Sequence, residues 1–462
     1  MDATEALCRH AAGLSVERIS AAAVAATKVF LLDTLGVALA GWRHPFTPAL
    51  IECAQGWGQG GACRLIGGDA RGWPAPTAAM INAWLIHNQE FDCVHEPAVV
   101  HPMAVILAAL LAEVDRRGGA RGAEMLLALV IAVDIAASLG SACRTRLRFF
   151  RPAQCGALGA LAAVLRLRGA DAGQIRSGFG LLLGQLSGTM QAHREGVAAL
   201  PMQIAYNARN VLVAADLVSA GLAAPQHAIE GEFGYYALFE GAHELAREVS
   251  DLGQRFRIAE VSHKPFPSGR ATHGGLDGLL SLQAQHGFGA AEVAAVRLQA
   301  PPLVRQLVDR PVRPAMRANE AKLCFPFVAA VALQRGGVDV ADFDAAALVD
   351  AETLALAARV AVLADANPDV NALAPVQVEV QLHDGRVYAQ AVPQILGAPA
   401  RPLSQAAHLA KFRRNLAGHP GAVQADTLIE AVEALPALAD VRILLDLLSD
   451  KSSSLDPAEP RR

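Results

Sequence analysis

Residues 376–392 read VQVEVQLHDGRVYAQAV, and this stretch decides the fold class of the second half of the chain. Two segments that alternate apolar and polar residues flank an Asp-Gly turn, which predicts a β-hairpin. Upstream, residues 292–299 alternate in the same way and predict another strand. Helical spacing over 315–333 and 345–359 lies between these strands. Together the patterns predict an α+β domain over 261–399.

Outside this domain the sequence is dominated by helical patterns. Apolar runs in the first part of the chain begin after Pro or end at Gly, which are the residues that favour helix starts and helix ends. Many runs are apolar nearly all round, so we expect their helices to be buried against each other or against a second subunit. We therefore predict a mainly α protein with an all-helical domain over 1–260 and 400–450, the α+β domain between them, and a frayed polar tail over 451–462.

The composition excludes several classes of function. The chain has 462 residues, with 40 basic and 44 acidic side chains and a formal net charge of −4. No basic excess exists to neutralise phosphates, so we expect neither nucleic acid nor an anionic membrane as partner. The apolar runs look too short for a membrane span, and the first residues lack the basic start of a signal peptide. These features predict a soluble cytoplasmic protein.

Metal and cofactor motifs are missing from the sequence. Seven cysteines occur at scattered positions without CxxC spacing, which favours reduced, mostly buried thiols over a zinc or iron–sulfur centre. Residues 56–61 match GxGxxG by spacing, but a strand-like pattern follows where a helix should begin. We therefore expect no nucleotide cofactor and no metal.

The densest group of titratable residues lies between two predicted helices. Residues 87–95 read HNQEFDCVH, and His101 precedes a proline that opens the next helix, whose free N–H groups favour an anion. Acid and base groups at such a place suit the binding and deprotonation of a carboxylate. The alternatives are helix caps, ion pairs, or a divalent metal, although no HxxxH or HxH spacing supports a metal. The candidate residues are Glu90, Asp92, His95 and His101.

A second polar block spans residues 262–274, SHKPFPSGRATHG. Two prolines stiffen a loop that leads into a helix, and Lys264, Arg270 and His273 lie near the helix start. The chain has only five lysines, so Lys264 in this setting indicates a specific role, either charge pairing or proton transfer if burial lowers its pKa. The alternative is a solvated basic turn. We expect this block and the first one to face one cleft.

These segments, in this order, resemble the MmgE/PrpD family. The resemblance implies a large helical domain, a smaller α+β domain with the active site between them, and a homodimer. It also implies metal-free chemistry on small polycarboxylates, since the family includes 2-methylcitrate dehydratase, cis-aconitate decarboxylase and iminodisuccinate epimerase. The matching segments are DTLGVALAG (33–41), His87–Asp92 with His101-Pro102, KPFPS (264–268) with Arg270 and His273, EAKLCFPF (320–327), and short landmarks at 384–386, 402–404 and 411–413.

On this resemblance we expect a cofactor-independent dehydratase acting on a small di- or tricarboxylate such as 2-methylcitrate. Lys264 or His101 removes a proton next to a carboxylate, and Asp92 orients the imidazole. His273 stabilises the enolate or protonates the leaving group. The residues expected to bind substrate are Glu90, His95, Arg151, Arg270 and Lys322.

The chain also departs from the family pattern. Arg151 stands where members usually have a histidine, and residues 200–203, LPMQ, replace a Lys-Arg-Leu-His segment. The lysine and histidine used by decarboxylase-type members are therefore missing, which makes cis-aconitate decarboxylation the least expected of the three activities. Two alternatives stay open: an epimerase of a dicarboxylate such as iminodisuccinate, and a family member that binds a carboxylate without turnover.

Overall fold

The computed structural model describes residues 2–314 and 316–449, so the tail predicted at 451–462 lies outside the described residues. The chain starts with a long series of helices. Proline at the first helical position and glycine at the end shape many of them; α5, for example, begins at Pro102 and ends before Gly118 with φ 81°. These helices are α1 Ala3–Gly13, α2 Ala21–Gly41, α3 Thr47–Trp57, α4 Ala75–His87, α5 Pro102–Arg117, α6 Gly122–Ser141, α7 Arg151–Leu167, α8 Ala172–Leu183, α9 Met190–Glu195, α10 Ala199–Ser219 and α11 Leu245–Glu248.

The middle of the chain adds a small sheet with its own helices, and the C-terminal part returns to helix. The elements are α12 Arg270–His286, β1 Val293–Ala300, α13 Pro302–Val308, α14 Ala318–Lys322, α15 Phe325–Arg335, α16 Ala351–Ala357, β2 Val360–Ala364, β3 Val376–Leu382, β4 Val387–Val392, α17 Gln405–Leu416, α18 Ala425–Glu433 and α19 Ile443–Leu448. Short 3₁₀ or π turns connect them at Val16–Arg18, Tyr236–Glu240, Arg257–Glu260, Ala290–Glu292, Val340–Phe343, Ala347–Val349, Pro420–Gln424 and Leu435–Ala437. The predicted class, mainly α with a smaller α+β part, is confirmed.

The sheet is mixed and has four strands in the order β2-β1-β3-β4. β1 pairs with β2 in parallel and with β3 antiparallel, and β3 pairs with β4 as the predicted hairpin. β2 was not predicted. The helix expected over 315–333 is two helices, because α14 ends at Lys322 and Cys324, with extended backbone, is the N-cap of α15. Pro326 lies in the first turn of α15, where a proline fits.

The described residues form two large hydrophobic cores and one small cluster. The larger core joins the N-terminal helices to α17, α18 and α19, and the other core lies between the sheet, α12 and α15. All seven cysteines are free, and all but Cys53 are buried. The loops that carry the two polar blocks lie where the cores meet.

The expectation that no apolar segment is long enough to span a membrane is wrong for two helices. α2 and α6 have 21 and 20 residues and are apolar enough by composition to cross a bilayer. Within the apolar windows of these helices, 67% and 83% of the residues are buried inside the protein. Asp134 on α6 is fully buried and accepts hydrogen bonds from His10 and from the backbone N–H of Arg257, so its interruption of the apolar run is compensated by polar partners.

Candidate active site

The loop between α4 and α5 carries the first polar block and has a strained backbone. Glu90 and Val99 adopt φ of 53° and 52°, a left-handed conformation that is costly for a non-glycine residue and most of all for a β-branched one. Both residues line a cavity. The surrounding contacts must therefore hold this loop in place against its own preference.

Asp92 lies between two imidazoles at the base of this loop. Its Oδ2 is 3.0 Å from Nδ1 of His87 and 3.3 Å from Nδ1 of His101. Burial alone would raise the pKa of Asp92, but the two imidazoles outweigh it and keep the pKa well below its usual value. An ionised carboxylate only accepts hydrogen bonds, so His87, whose Nδ1 is hydrogen-bonded to both oxygens of Asp92, carries a proton on that nitrogen. Nδ1 of His101 lies beside Asp92 without a hydrogen-bonding alignment, and the charge of the carboxylate favours a proton there. Burial, helped by the charge of Lys264, lowers the pKa of His101, which leaves a neutral ring with a lone pair on Nε2.

The second polar block meets the first at Glu90, as predicted. Lys264 Nζ is 3.3 Å from Glu90 Oε2 and donates a hydrogen bond of 2.9 Å to the Glu90 carbonyl oxygen. The other carboxylate oxygen of Glu90 is 3.7 Å from Nε2 of His87. Burial opposes ionisation of Glu90, but Lys264 and the imidazoles lower its pKa to about 2. Lys264 is fully buried, so the alternative of a solvated basic turn is wrong.

A small cavity of about 70 Å³ opens beside this network. That space holds several water molecules. Most of its wall is apolar, which excludes water and strengthens electrostatic interactions with a bound molecule. The polar residues on the wall are Glu90, His101, His193 and Arg270.

Of three further predicted residues, Arg270 lies on the cavity wall, whereas Lys322 and His273 do not line the cavity. Arg270 reaches the cavity, but its guanidinium is paired with Glu96 at 2.7 Å. Lys322 is buried and donates to Gln89 Oε1 at 2.6 Å; burial lowers its pKa to about 7. His273 is buried with Nε2 3.2 Å from the carbonyl oxygen of Ser268. Their predicted roles in binding and proton transfer stay predictions.

Two predicted residues are tied to partners away from the cavity wall. His95 is buried with Nε2 3.1 Å from Glu260. Arg151 is fully buried and donates from Nε and Nη2 to the two carboxylate oxygens of Glu240, each at 2.9 Å. A substrate carboxylate would have to compete with Glu240 for this guanidinium.

His193 is a residue of the cavity that the sequence did not point to. It lies on α9, a helix of six residues that ends at Gly196 with φ 63°. Arg310 holds it, with Nη2 3.2 Å from Nδ1 of the ring. A lone histidine outside the two polar blocks gives no spacing signal, so only the fold reveals its position.

Two groups of side chains have the donor types of a metal site. His87, Asp92 and His101 offer ligand atoms within 4.8 Å of one another, and a histidine–carboxylate set suits zinc and related ions. The second group is Asp33, His263 and His408, where Lys411 already pairs with Asp33 at 2.7 Å. The first group lies in the polar block where a divalent metal was one of the alternatives, and the second joins residues that are far apart in sequence. Metal-free operation therefore stays a prediction.

Comparison with known proteins places the chain in a family. The model of the MmgE/PrpD N-terminal domain matches residues 5–248, and that of the MmgE/PrpD C-terminal domain matches residues 266–437. A human protein named cis-aconitate decarboxylase is 24% identical over 97% of this chain and 95% of its own length. A mouse protein of the same name is 23% identical over 97% and 94%, and one from Aspergillus terreus is 25% identical over 61% and 60%. The chain belongs to the MmgE/PrpD family.

Proposed function

We propose that this protein is a lyase that acts on a small polycarboxylate by removing a proton next to a carboxylate, and that it works as a dehydratase on a substrate such as 2-methylcitrate. The observation that carries the proposal is the arrangement of Asp92 and His101. Oδ2 of Asp92 lies 3.3 Å from Nδ1 of His101, and its charge favours the ring proton on that nitrogen, which leaves the lone pair of the neutral ring on Nε2 of a residue of the cavity wall. A neutral imidazole is a competent general base at physiological pH.

In this reaction His101 takes the proton from the carbon next to the carboxylate. The electron pair of the broken C–H bond moves onto the carboxylate oxygens, and Asp92 stabilises the imidazolium that forms. The pair then returns to make a carbon–carbon double bond as the hydroxyl group on the adjacent carbon leaves. That hydroxide takes the proton from the His101 imidazolium and departs as water, which balances the step and regenerates the neutral base.

The relatives named cis-aconitate decarboxylase support the lyase class and raise a second candidate. Decarboxylation breaks a carbon–carbon bond and then needs a proton donor for the resulting carbanion. Residues 200–203 contain no acid or base, and Leu200 presents an apolar side chain to the cavity. The presence of a poised base and the lack of a donor at this segment favour dehydration over decarboxylation.

A substrate screen tests the proposal. The purified protein is incubated with 2-methylcitrate, citrate, cis-aconitate and iminodisuccinate, and the products are followed by NMR, in D₂O as well as in H₂O. We expect loss of water from a hydroxy acid and exchange of the proton next to the carboxylate. Release of CO₂ from cis-aconitate alone would replace the dehydratase by the decarboxylase, and inversion of iminodisuccinate would replace it by the epimerase.

A chelator arm and a variant complete the design. We expect the same rate after EDTA treatment. If EDTA abolishes the activity and one divalent ion restores it, His87, Asp92 and His101 would be assigned as metal ligands. His101→Asn separates enzyme catalysis from contaminating activity. Tight binding of an acid with no turnover of any substrate would favour the non-catalytic alternative.

A further inference from the structure

His193 lies in the same small space as the proposed base. It borders both the inner cavity and a wider, arginine-rich vestibule of about 510 Å³ outside it. Its ring is close enough to Glu90 and His101 for both to influence its ionisation. A substrate in the cavity must therefore lie near two imidazoles that come from different parts of the chain.

Arg310 fixes the protonation of the His193 ring. Its guanidinium donates to the carbonyl oxygens of His193 and Arg194 at 2.6 and 3.1 Å, which holds the end of α9, and Nη2 is 3.2 Å from Nδ1 of the ring. A guanidinium has only donors, so Nδ1 of His193 must accept with its lone pair. The neutral ring then carries its proton on Nε2.

The Nε2–H of His193 has no hydrogen-bond partner in the described part of the chain. No hydrogen bond to this atom is present among residues 2–314 and 316–449, and the atom is not among the sealed polar atoms of this part of the chain. Burial, together with the positive charge of Arg310, lowers the pKa of His193 to about 4, whereas Glu90 acts in the opposite direction. The ring is thus a neutral hydrogen-bond donor at pH 7.

We propose that His193 is a further catalytic residue, whose Nε2–H donates a hydrogen bond to the carboxylate oxygen that gains negative charge as His101 removes the neighbouring proton. The inference rests on the proposed function. No proton leaves His193 in this step; the C–H proton goes to His101 and the electron pair goes to the oxygen that His193 binds. Arg310 is the positioning residue.

The two imidazoles are set in opposite states by opposite partners. The charge of Asp92 beside Nδ1 of His101 favours a lone pair on Nε2 of that ring. Arg310 can only donate to Nδ1 of His193 and so leaves that ring with an N–H on Nε2. Proton removal next to a carboxylate needs both, because the base takes the proton and the donor stabilises the charge that appears on oxygen. Removing one such donor from an active site costs about 10²–10³ in kcat.

Three substitutions test the role of the ring. His193→Gln can place an amide N–H near the position of Nε2, whereas His193→Asn reaches only the position of Nδ1 and His193→Phe keeps the shape without a donor. With the acid that the wild-type protein turns over, we expect kcat to fall about 10²-fold in the Asn and Phe variants and less than about tenfold in the Gln variant, with little change in KM. Gln191→Ala, on the exposed side of the same helix, is the matched control and should leave kcat unchanged.

The pH profile separates a neutral donor from a base. A donor that stays neutral contributes no ionisation above about pH 5, so all variants should keep the wild-type profile at a lower level. Disappearance of one limb of the profile in His193→Asn would make His193 the base and overturn the inference. Equal kcat in His193→Gln and His193→Phe would overturn it as well.

A spectroscopic readout does not depend on turnover. In protein labelled with ¹⁵N-histidine, two-bond ¹H–¹⁵N spectra should assign His193 as the neutral Nε2–H form from about pH 5 to 8, and Arg310→Gln should release the ring into mixed tautomers. A charged ring, or a proton on Nδ1 at pH 7, would overturn the inference even if the protein is active. If the wild-type protein turns over none of the four acids, the proposed function fails, and the spectra still decide the state of the ring.

Discussion

Asp92 lies between the imidazoles of His87 and His101. The charge of its carboxylate therefore favours the ring proton of His101 on Nδ1 and the lone pair on Nε2. We expect His101→Asn to lower kcat by about 10²–10⁴-fold, the scale of a positioned general base, with little change in unfolding temperature. Asp92→Asn should also lower kcat, because an amide N–H can donate to Nδ1 and move the ring proton to Nε2. Steady-state kinetics and thermal unfolding check both variants, with the exposed His227→Ala as control. Retention of more than half of kcat in His101→Asn would remove it from the role of base.

Lys264 and Glu90 form a buried pair, so their substitution affects folding as well as activity. Lys264→Met leaves the Glu90 carboxylate buried without its main cation, and we expect a loss of about 3–5 kcal/mol in the free energy of unfolding. The double variant Lys264→Met/Glu90→Gln should recover much of this loss, since it buries no charge. Chemical denaturation of the wild type, of Lys264→Met, of Glu90→Gln and of the double variant measures the coupling between the two residues. Equal losses in the single Lys264→Met and the double variant would show that the pair is not coupled.

The same pair predicts a pH dependence. The pKa of Glu90 in the folded protein, about 2, lies below its ordinary value of 4.5. The ionised carboxylate therefore stabilises the fold fully above about pH 4.5, and this contribution is lost as the pH falls toward 2. As the pH falls from about 4.5 toward 2, the wild type should lose stability relative to Glu90→Gln, so the difference between their unfolding free energies should shrink. A difference that grows as the pH falls would contradict the assigned direction.

At the scale of elements, glycines allow the core helices to approach closely. A Cβ added at Gly159 on α7 would lie 2.2 Å from the carbonyl oxygen of Ala132 on α6, which is backbone and cannot move aside. We expect Gly159→Ala to destabilise the protein by about 1–3 kcal/mol or more, as overpacking does in well-packed cores. Gly184→Ala is the control, because its φ of −68° suits any residue and no atom lies within 4 Å of the added Cβ. Equal unfolding temperatures for the two variants would contradict this packing argument.

The sequence predicted elements well where local signals were strong. The hairpin matches at both strands, since alternation and an Asp-Gly turn are local properties. α2 and α5 begin as predicted, with Gly or Pro at their ends. β2 was missed because Val360–Ala364 is a short strand whose pairing with β1 depends on a distant partner. α7 begins at Arg151 with Pro152 in its first turn, where a proline fits the helix.

The candidate site was predictable only as far as its residue types cluster in sequence. The meeting of Glu90 with Lys264 followed from two polar blocks that each lack what the other supplies. The contact between His193 and Arg310 was not predicted, because the two residues are isolated in sequence and lie 117 positions apart. Only the fold brings them together. Pairing of Arg151 with Glu240 escaped for the same reason, since nothing near Glu240 indicates a buried carboxylate.

At the scale of the whole molecule, the homodimer stays a prediction, but it now rests on a different observation. The apolar helices that suggested a second subunit are buried within one chain, and residues of α5 from Met103 to Leu110 are fully buried without it. Large apolar side chains that stay exposed, such as Trp57 and Phe233, are the remaining reason to expect an interface. We expect a mass near 97 kDa, twice the chain mass of 48.3 kDa, by light scattering at micromolar concentration. A mass of one chain at that concentration would contradict the prediction.

The approach to the cavity carries positive charge in a molecule whose net charge is −4. Two adjoining recesses outside the cavity contain six arginines against four carboxylates. These residues are Arg146, Arg194, Arg305, Arg310, Arg313 and Arg317, with Glu195, Asp309, Glu320 and Asp369. A concave surface of one sign concentrates ligands of the opposite sign and speeds their encounter.

We therefore expect kcat/KM for a polycarboxylate to fall as salt rises, because salt shortens the range of this attraction to about 8 Å at physiological ionic strength. kcat should change little, since charges beside the mostly buried inner cavity are screened less than those of the vestibule. Arg194→Gln/Arg317→Gln should lower kcat/KM at low salt and flatten its salt dependence, while Arg9→Gln, on the exposed face of α1 outside both recesses, should do neither. Steady-state kinetics at several NaCl concentrations measure the slopes. A neutral ester of the acid is the control substrate, and its kcat/KM should not depend on salt in any of these proteins. If the salt dependence of kcat/KM for the acid is unchanged in the double variant, the vestibule arginines do not guide the substrate.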